Sequence, residues 1–414
     1  MNHVPARVRR LAATLYAYAF LADLVLLYPV YALLFSDAGL SVGQISSLFV
    51  LWSAGSTLLE VPSGAWADAV SRRLLLVLAP LVTGAAFALW VLAPSYPAFA
   101  VGFLLWGAGG ALASGSVEAL AHDELARLGA ASRYARTMGR ARTAGTAGTL
   151  ASTALAGPVL AAGGYPAVGA ASVLACGLAA AVATRLPEHR ELPAGAGPAG
   201  GNAAADDEDP GWWASLRAGL AEARADRPVR AAVLLLAVVT AVWGALDEYT
   251  PLLAVDTGVA RASVPLLLLL LWAGVTAGGL LAPLGERLTD RGYAVLLAGS
   301  GGALAAGALL ARPAGFVLVA AAFAGFQLAS VLADARLQAR IAGPGRATVT
   351  SLAGTVTDLG TITVYGCYGL LATGAGNGVA FAVLALPYLV LALALTVRRA
   401  RPAGSAPGRA GWRP

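Results

Sequence analysis

Apolar residues along this chain fall in blocks of roughly 20, the length a helix needs to cross a bilayer core, with polar or Gly/Pro breaks between them. Reading block by block yields twelve spans, at about 11–36, 43–66, 74–93, 97–121, 141–162, 166–185, 230–253, 263–285, 293–311, 315–335, 347–372 and 377–397. Connections such as Pro94-Ser95-Tyr96-Pro97 and Gly163-Gly164-Tyr165-Pro166 are so short that the helices they join must be antiparallel hairpins. The pattern predicts an all-α integral membrane protein of twelve transmembrane helices.

The arginines test this count independently. When the loops are numbered alternately from an inside N-terminus, all but Arg261 and Arg312 fall on the inside. One missed or invented helix would scramble that sorting. The positive-inside rule therefore predicts an even number of crossings with both termini cytoplasmic, in a bacterial inner membrane.

Between spans six and seven the composition changes. A Pro-, Gly- and Ala-rich stretch carries Asp206-Asp207-Glu208-Asp209 and reads as a solvated linker. Behind it, Trp212, Trp213, Leu216 and Leu220 recur at helical spacing, which predicts an amphipathic helix in the interface. The expected organisation is a six-helix bundle over 1–185, a linker over 186–228, a second bundle over 229–400 and a tail over 401–414.

Composition agrees with the pattern: 58% of the 414 residues are hydrophobic and 12% charged, where soluble proteins carry about 25% charged. The net charge of +6 comes from 28 basic residues, all of them arginine. They flank apolar spans, so topology accounts for them and nucleic-acid binding is not expected. No cleavable signal is apparent in the first span. Cys176 and Cys367 are read as small buried side chains, with no metal or redox spacing. No metal and no cofactor is expected, and one histidine at membrane depth, His122, is too little for a membrane-embedded enzyme.

After span two the chain reads Gly64-Ala65-Trp66-Ala67-Asp68-Ala69-Val70-Ser71-Arg72-Arg73, which resembles the signature G-x-x-x-D-x-x-G-R-[KR] of the major facilitator superfamily, with Ser71 for the second glycine. A looser echo, Glu286-Arg287-Leu288-Thr289-Asp290-Arg291-Gly292, stands between spans eight and nine. Glu60-Val61-Pro62-Ser63-Gly64, Ser114-Gly115-Ser116-Val117-Glu118 with Asp123, and Arg346-Ala347-Thr348-Val349-Thr350 are similar to patterns of bacterial members. The resemblance implies two pseudo-symmetric six-helix bundles that move a small-molecule solute across the lipid bilayer as a monomer. It also implies a gate in which Gly64, Asp68, Arg72 and Arg73 meet Arg346 at the start of span eleven. Gly157-Pro158 in span five, with Gly148 before it, resembles the helix-packing element of proton-exchanging exporters.

The remaining chemistry is acidic. Asp23, Glu60, Glu118, Asp247, Glu248, Asp334 and Asp358 fall within apolar spans, where an ionisable side chain costs about 2.5–3.5 kcal/mol and faces a cavity or a partner. A carboxyl group without a cationic partner in low dielectric holds its proton toward neutral pH. In the fold the resemblance implies, spans one, four, seven and ten face the cavity. Asp23, Glu118, Asp247 and Asp334 lie on those spans, and Glu248 adjoins one of them. These five are the candidate proton- or substrate-binding residues, with the proton gradient as coupling source. Tyr16, Tyr18, Tyr28, Tyr31, Trp52, Trp106, Trp243 and Tyr249 are candidates to line an apolar, cation-tolerant cavity. The expectation is proton-coupled efflux of an amphipathic drug or metabolite. Uptake of a sugar or other nutrient on the same fold is the alternative.

Overall fold

A computed structural model of the chain describes residues 6–189, 226–341 and 346–400, without the side chains of 60–69, 347 and 398–400. The acidic run, the amphipathic helix expected at Trp212 and the C-terminal tail therefore lie outside the described residues; the site candidates Gly64 and Asp68 fall within a described helix, but the side chains of Glu60 and Asp68 are not among those described.

In the first half, helices α1 (Ala6–Asp23), α2 (Tyr31–Asp37), α3 (Val42–Ala69), α4 (Arg72–Leu92), α5 (Tyr96–Ala113), α6 (Ser116–Arg127) and α7 (Tyr134–Ala183) follow one another. The second half holds α8 (Arg227–Asp247), α9 (Thr250–Asp256), α10 (Val264–Leu280), α11 (Ala282–Gly285) and α12 (Asp290–Leu309). It continues with α13 (Gly315–Gln338), α14 (Arg346–Ala375), α15 (Asn377–Leu384) and α16 (Leu386–Ala400).

Among the described residues, nine helical stretches are long and apolar enough to cross a membrane. One of them, Ala131–Ala183, is two crossings. Gly164 adopts φ +63°, open to glycine at no steric cost, and interrupts the helix there. Met138 near its start then packs in one cluster with Ala179 and Ala183 near its end, so the segment doubles back. The broken first span (α1 with α2) and α14 bring the crossings to the twelve that the hydropathy pattern predicts.

Arg7, Arg10, Arg127 and Arg185 gather on one face of the bundle, while Arg261 pairs with Asp37 on the other. The first is the arginine-rich face, the second the far face.

Leucines cover the outside: Leu280 is 77% and Leu370 81% exposed. Lipid satisfies such surface, and outside a few short breaks the crossings are helical, so the lipid-facing backbone is hydrogen-bonded internally. Cys367 departs from expectation. It is exposed, because it shares the outer flank of α14 with Leu359, Gly366 and Leu370. Inside, lipid offers no hydrophobic drive between helices, so close packing of small residues has to hold them. Gly274 and Gly278, one turn apart on α10, lie against the carbonyl oxygens of Ala320 and Ala324 on α13, where no side chain would fit.

The two halves repeat one tie with its charges exchanged. Arg72 at the start of α4 reaches Asp123 near the end of α6 at 2.5 Å. Asp290 at the start of α12 faces Arg336 near the end of α13 at 3.8 Å.

Candidate functional site

Among the broken spans, three carry an acid at the break. α1 ends at Asp23, and helix resumes at Tyr31 beyond Pro29, which has no N–H to give. α8 ends at Asp247, followed by Glu248 and by Pro251 in the first turn of α9. α5 and α6 part at Ser114-Gly115, where Gly115 takes φ +71°, and Glu118 occupies the first turn beyond. Interrupted spans expose backbone polar groups, and membranes tolerate that only around a cavity.

The acids line cavities in two pairs. Asp23 and Glu118 share a cavity of about 440 Å³ with Arg142. One Asp23 carboxylate oxygen sits directly over Gly145, where any side chain would take its space. Asp247 and Glu248 line a second cavity, of about 230 Å³, between the two halves. Its walls include Tyr28, Tyr31, Trp52 and Trp106. Tyr28 stacks on Trp106 at 5.2 Å between ring centroids, and Trp106 stacks on Trp52 at 4.8 Å. Tyr31 donates a hydrogen bond to Glu248 across the halves.

These cavities adjoin one another. A third, of about 250 Å³, shares Gly110 and Ser114 with the Asp23 cavity, and Trp52 and Trp106 with the Glu248 cavity. The result is a row of adjoining cavities with a carboxyl pair at each end and indole rings between them.

On the far-face side, further contacts join the halves. Arg261 donates to both carboxylate oxygens of Asp37, at 2.6 and 2.5 Å, and Tyr165 donates to the same group at 2.7 Å. Tyr249 donates to Ser46 at 2.8 Å. Gly369 leaves so little room that a Cβ there would lie 2.7 Å from that of Ser46. Gly157, which the sequence assigns to helix packing, abuts the carbonyl oxygen of Ala262, beside Arg261 in the other half. Gly148 does pack helix on helix, against the Phe20 carbonyl of α1. Pro158 follows Gly157 inside α7.

Arg72 is engaged with Asp123 of its own half, and Arg346 reaches the Ile341 carbonyl of its own half at 3.5 Å. Arg73 is exposed. Asp334 is separate from the other acids: α13 is unbroken, and Asp334 receives a long 3.5 Å contact from Gln338. Of the aromatic candidates, Tyr18 packs in the first bundle's core, Trp243 donates to Ser330, and Tyr249 is buried at the seam between the halves. His122 is exposed beside Asp123.

Sequence reasoning overlooked Asp37, Tyr165 and Arg142. One signal was present for the first: Arg261 is one of only two arginines off the arginine-rich side, and an arginine so placed invites a search for an acid at the end of another span.

By sequence, no curated protein matches this chain. By structure it is similar to the nucleoside transporter NupG, with a TM-score of 0.72 at 12% identity over 94% of this chain and 98% of that one. It is also similar to a bacterial homologue of the human lysosomal transporter Spinster in an inward-facing, unoccupied conformation, at 0.65 and 18% over 96% of each chain. A D-xylose–proton symporter aligns at 0.64 and 15%, over 94% and 97%. The sequence profile of the Major Facilitator Superfamily matches residues 13–362. With that match over most of its length, on a fold of broken membrane helices around adjoining cavities, the chain belongs to the Major Facilitator Superfamily and is a membrane transporter.

Proposed function

We propose that the protein is a proton-coupled exporter of small amphipathic organic cations, working by alternating access from the cytoplasmic side of a bacterial inner membrane as a monomer. The observation that carries this reading is the row of adjoining cavities, with Asp23 and Glu118 at one end, Asp247 and Glu248 at the other, and stacked Trp52 and Trp106 between them. Carboxyl groups that face a cavity can bind either a proton or an organic cation, and a site that cannot hold both exchanges one for the other. The indole faces attract a cation without fixing its shape.

The positive-inside rule places the arginine-rich face in the cytoplasm. In the state described, contacts at the far face hold the halves together there, while Arg142 and half-exposed Glu118 give the Asp23 cavity its opening toward the arginines. This is the state that collects solute from inside. Release requires Asp37–Arg261 and Tyr31–Glu248 to part. A proton arriving at the carboxyl pair then displaces the cation, and the carrier returns with the proton.

Uptake is the second reading. It draws on the structural likeness to a protein named as a D-xylose–proton symporter. Inside-out vesicles separate the two. With an inwardly acid gradient, export predicts that organic cations accumulate in the vesicle and that Asp23→Asn and Glu118→Gln abolish accumulation. Wild-type rates in both variants would refute the assignment, and proton-driven expulsion of a preloaded neutral sugar from the vesicle instead would favour uptake.

A further inference from the structure

Outside the transport route, the arginine-rich face holds a second built cavity. α1 turns Val8, Leu11, Leu15 and Tyr18 inward. The same helical spacing brings Arg7, Arg10 and Thr14 together along the adjoining strip. Across from them lie Arg127, at the end of α6, and Arg185 and His189, just past α7. The cavity they enclose measures about 370 Å³ and is completed by Leu11, Leu128 and Pro187.

Its charge is unbalanced. Glu124 is the carboxylate at the cavity, only 3% exposed, and it is committed: Arg127 donates to it at 3.0 Å and the His189 amide at 2.8 Å. The nearby Glu188 turns away, accepting from Ser71 and from the Arg72 amide at the start of α4. The guanidinium groups of Arg7, Arg10 and Arg185 have no hydrogen-bond or ion-pair partner among the described residues. Topology explains arginines on this face, but not why four of them converge on one concavity around one buried carboxylate.

We infer that this cavity binds a phosphate-bearing anion. Guanidinium forks match phosphate oxygens two at a time and stay charged at any physiological pH. A multiply accepting anion relieves repulsion that a single carboxylate cannot. The apolar wall of Leu11, Leu128 and Pro187, at the level where span one begins, favours an anionic phospholipid headgroup as the source, since basic pockets between membrane helices on this side suit such groups. A free phosphate ester shares the chemistry.

The test uses the full-length protein, purified and titrated with phosphatidylglycerol, phosphatidylcholine or inorganic phosphate. Native mass spectrometry reads bound lipid and thermal unfolding reads phosphate. The expected result is retention of phosphatidylglycerol over phosphatidylcholine, weakened at least tenfold in Arg7→Gln/Arg10→Gln/Arg185→Gln and unchanged in Arg312→Gln, whose arginine lies outside the cavity. Stabilisation by inorganic phosphate in the wild type but not in the triple variant, with no lipid preference, also supports the site and assigns it to a soluble anion. If the triple variant does not fold, Arg185→Gln alone should weaken binding about threefold. Equal lipid retention by wild type and variants, with no response to phosphate in any, overturns the proposal.

Discussion

Arg261 of the second half grips Asp37 of the first through two parallel hydrogen bonds of 2.6 and 2.5 Å. The pair is half-open to solvent, with side chains 51% and 25% exposed. It ties the far end of span one to the turn that precedes span eight, and Tyr165 braces it from the hairpin between spans five and six. The two halves cannot separate at the far face while it holds.

Breaking that pair should favour the outward-open state. Exposed ion pairs are worth about 0.2–1 kcal/mol, and bidentate geometry puts this one near the top of the range. Asp37→Asn should therefore shift the balance between states up to about fivefold. Spin-label distances across the far face, in a background lacking Cys176 and Cys367, should lengthen, and 1 M salt should mimic part of the effect. Unchanged distances would mean that the pair is incidental.

Gly157→Ala should push the same seam apart more strongly. Its methyl would meet the Ala262 carbonyl, a backbone group that cannot turn aside. The expected outcome is a longer far-face distance and a transport rate at least tenfold lower, with expression and Tm close to wild type. Gly177→Ala, where a Cβ meets open space, is the control.

The indole stack should set affinity for charged solutes. Trp52 and Trp106 overlap at 4.8 Å, at the junction of two cavities. Removing either ring takes away a cation–π partner worth about 1–2 kcal/mol when desolvated. Trp106→Ala should therefore raise Kd for an organic cation about tenfold, measured by scintillation proximity, and alter Kd for a neutral analogue far less.

Asp334 should matter least among the acids. It lies on an unbroken helix and faces Gln338, so Asp334→Asn should keep transport within about twofold of wild type while Asp23→Asn loses it. Equal loss in both would restore Asp334 to the coupling set.

The fold was largely legible because each crossing must be satisfied by lipid alone. Twenty apolar residues announce themselves whatever their neighbours, and the arginines sort by side. The acids of spans one, four and seven were legible for the same energetic reason. What hydropathy could not reveal is finer than its window. The interruption between Asp23 and Tyr31 spans only a few residues, all apolar enough to pass as helix. Its cue was Pro29, as Pro251 was in span seven. Cross-half partners such as Asp37 and Arg261 are 224 positions apart, and nothing local marks their meeting. Gly157 read as a packing position with no indication that it would meet the Ala262 carbonyl. Asp334 and Asp23 look alike in sequence, and only the continuity of one helix and the break in the other distinguish them.

If protons and solute compete for Asp23 and Glu118, adding an organic cation to the purified protein in weakly buffered detergent solution must expel protons. A pH-indicator dye should record proton release from the wild type, and none from the variant carrying Asp23→Asn with Glu118→Gln. Cation binding without any proton release in the wild type would contradict the exchange at its root.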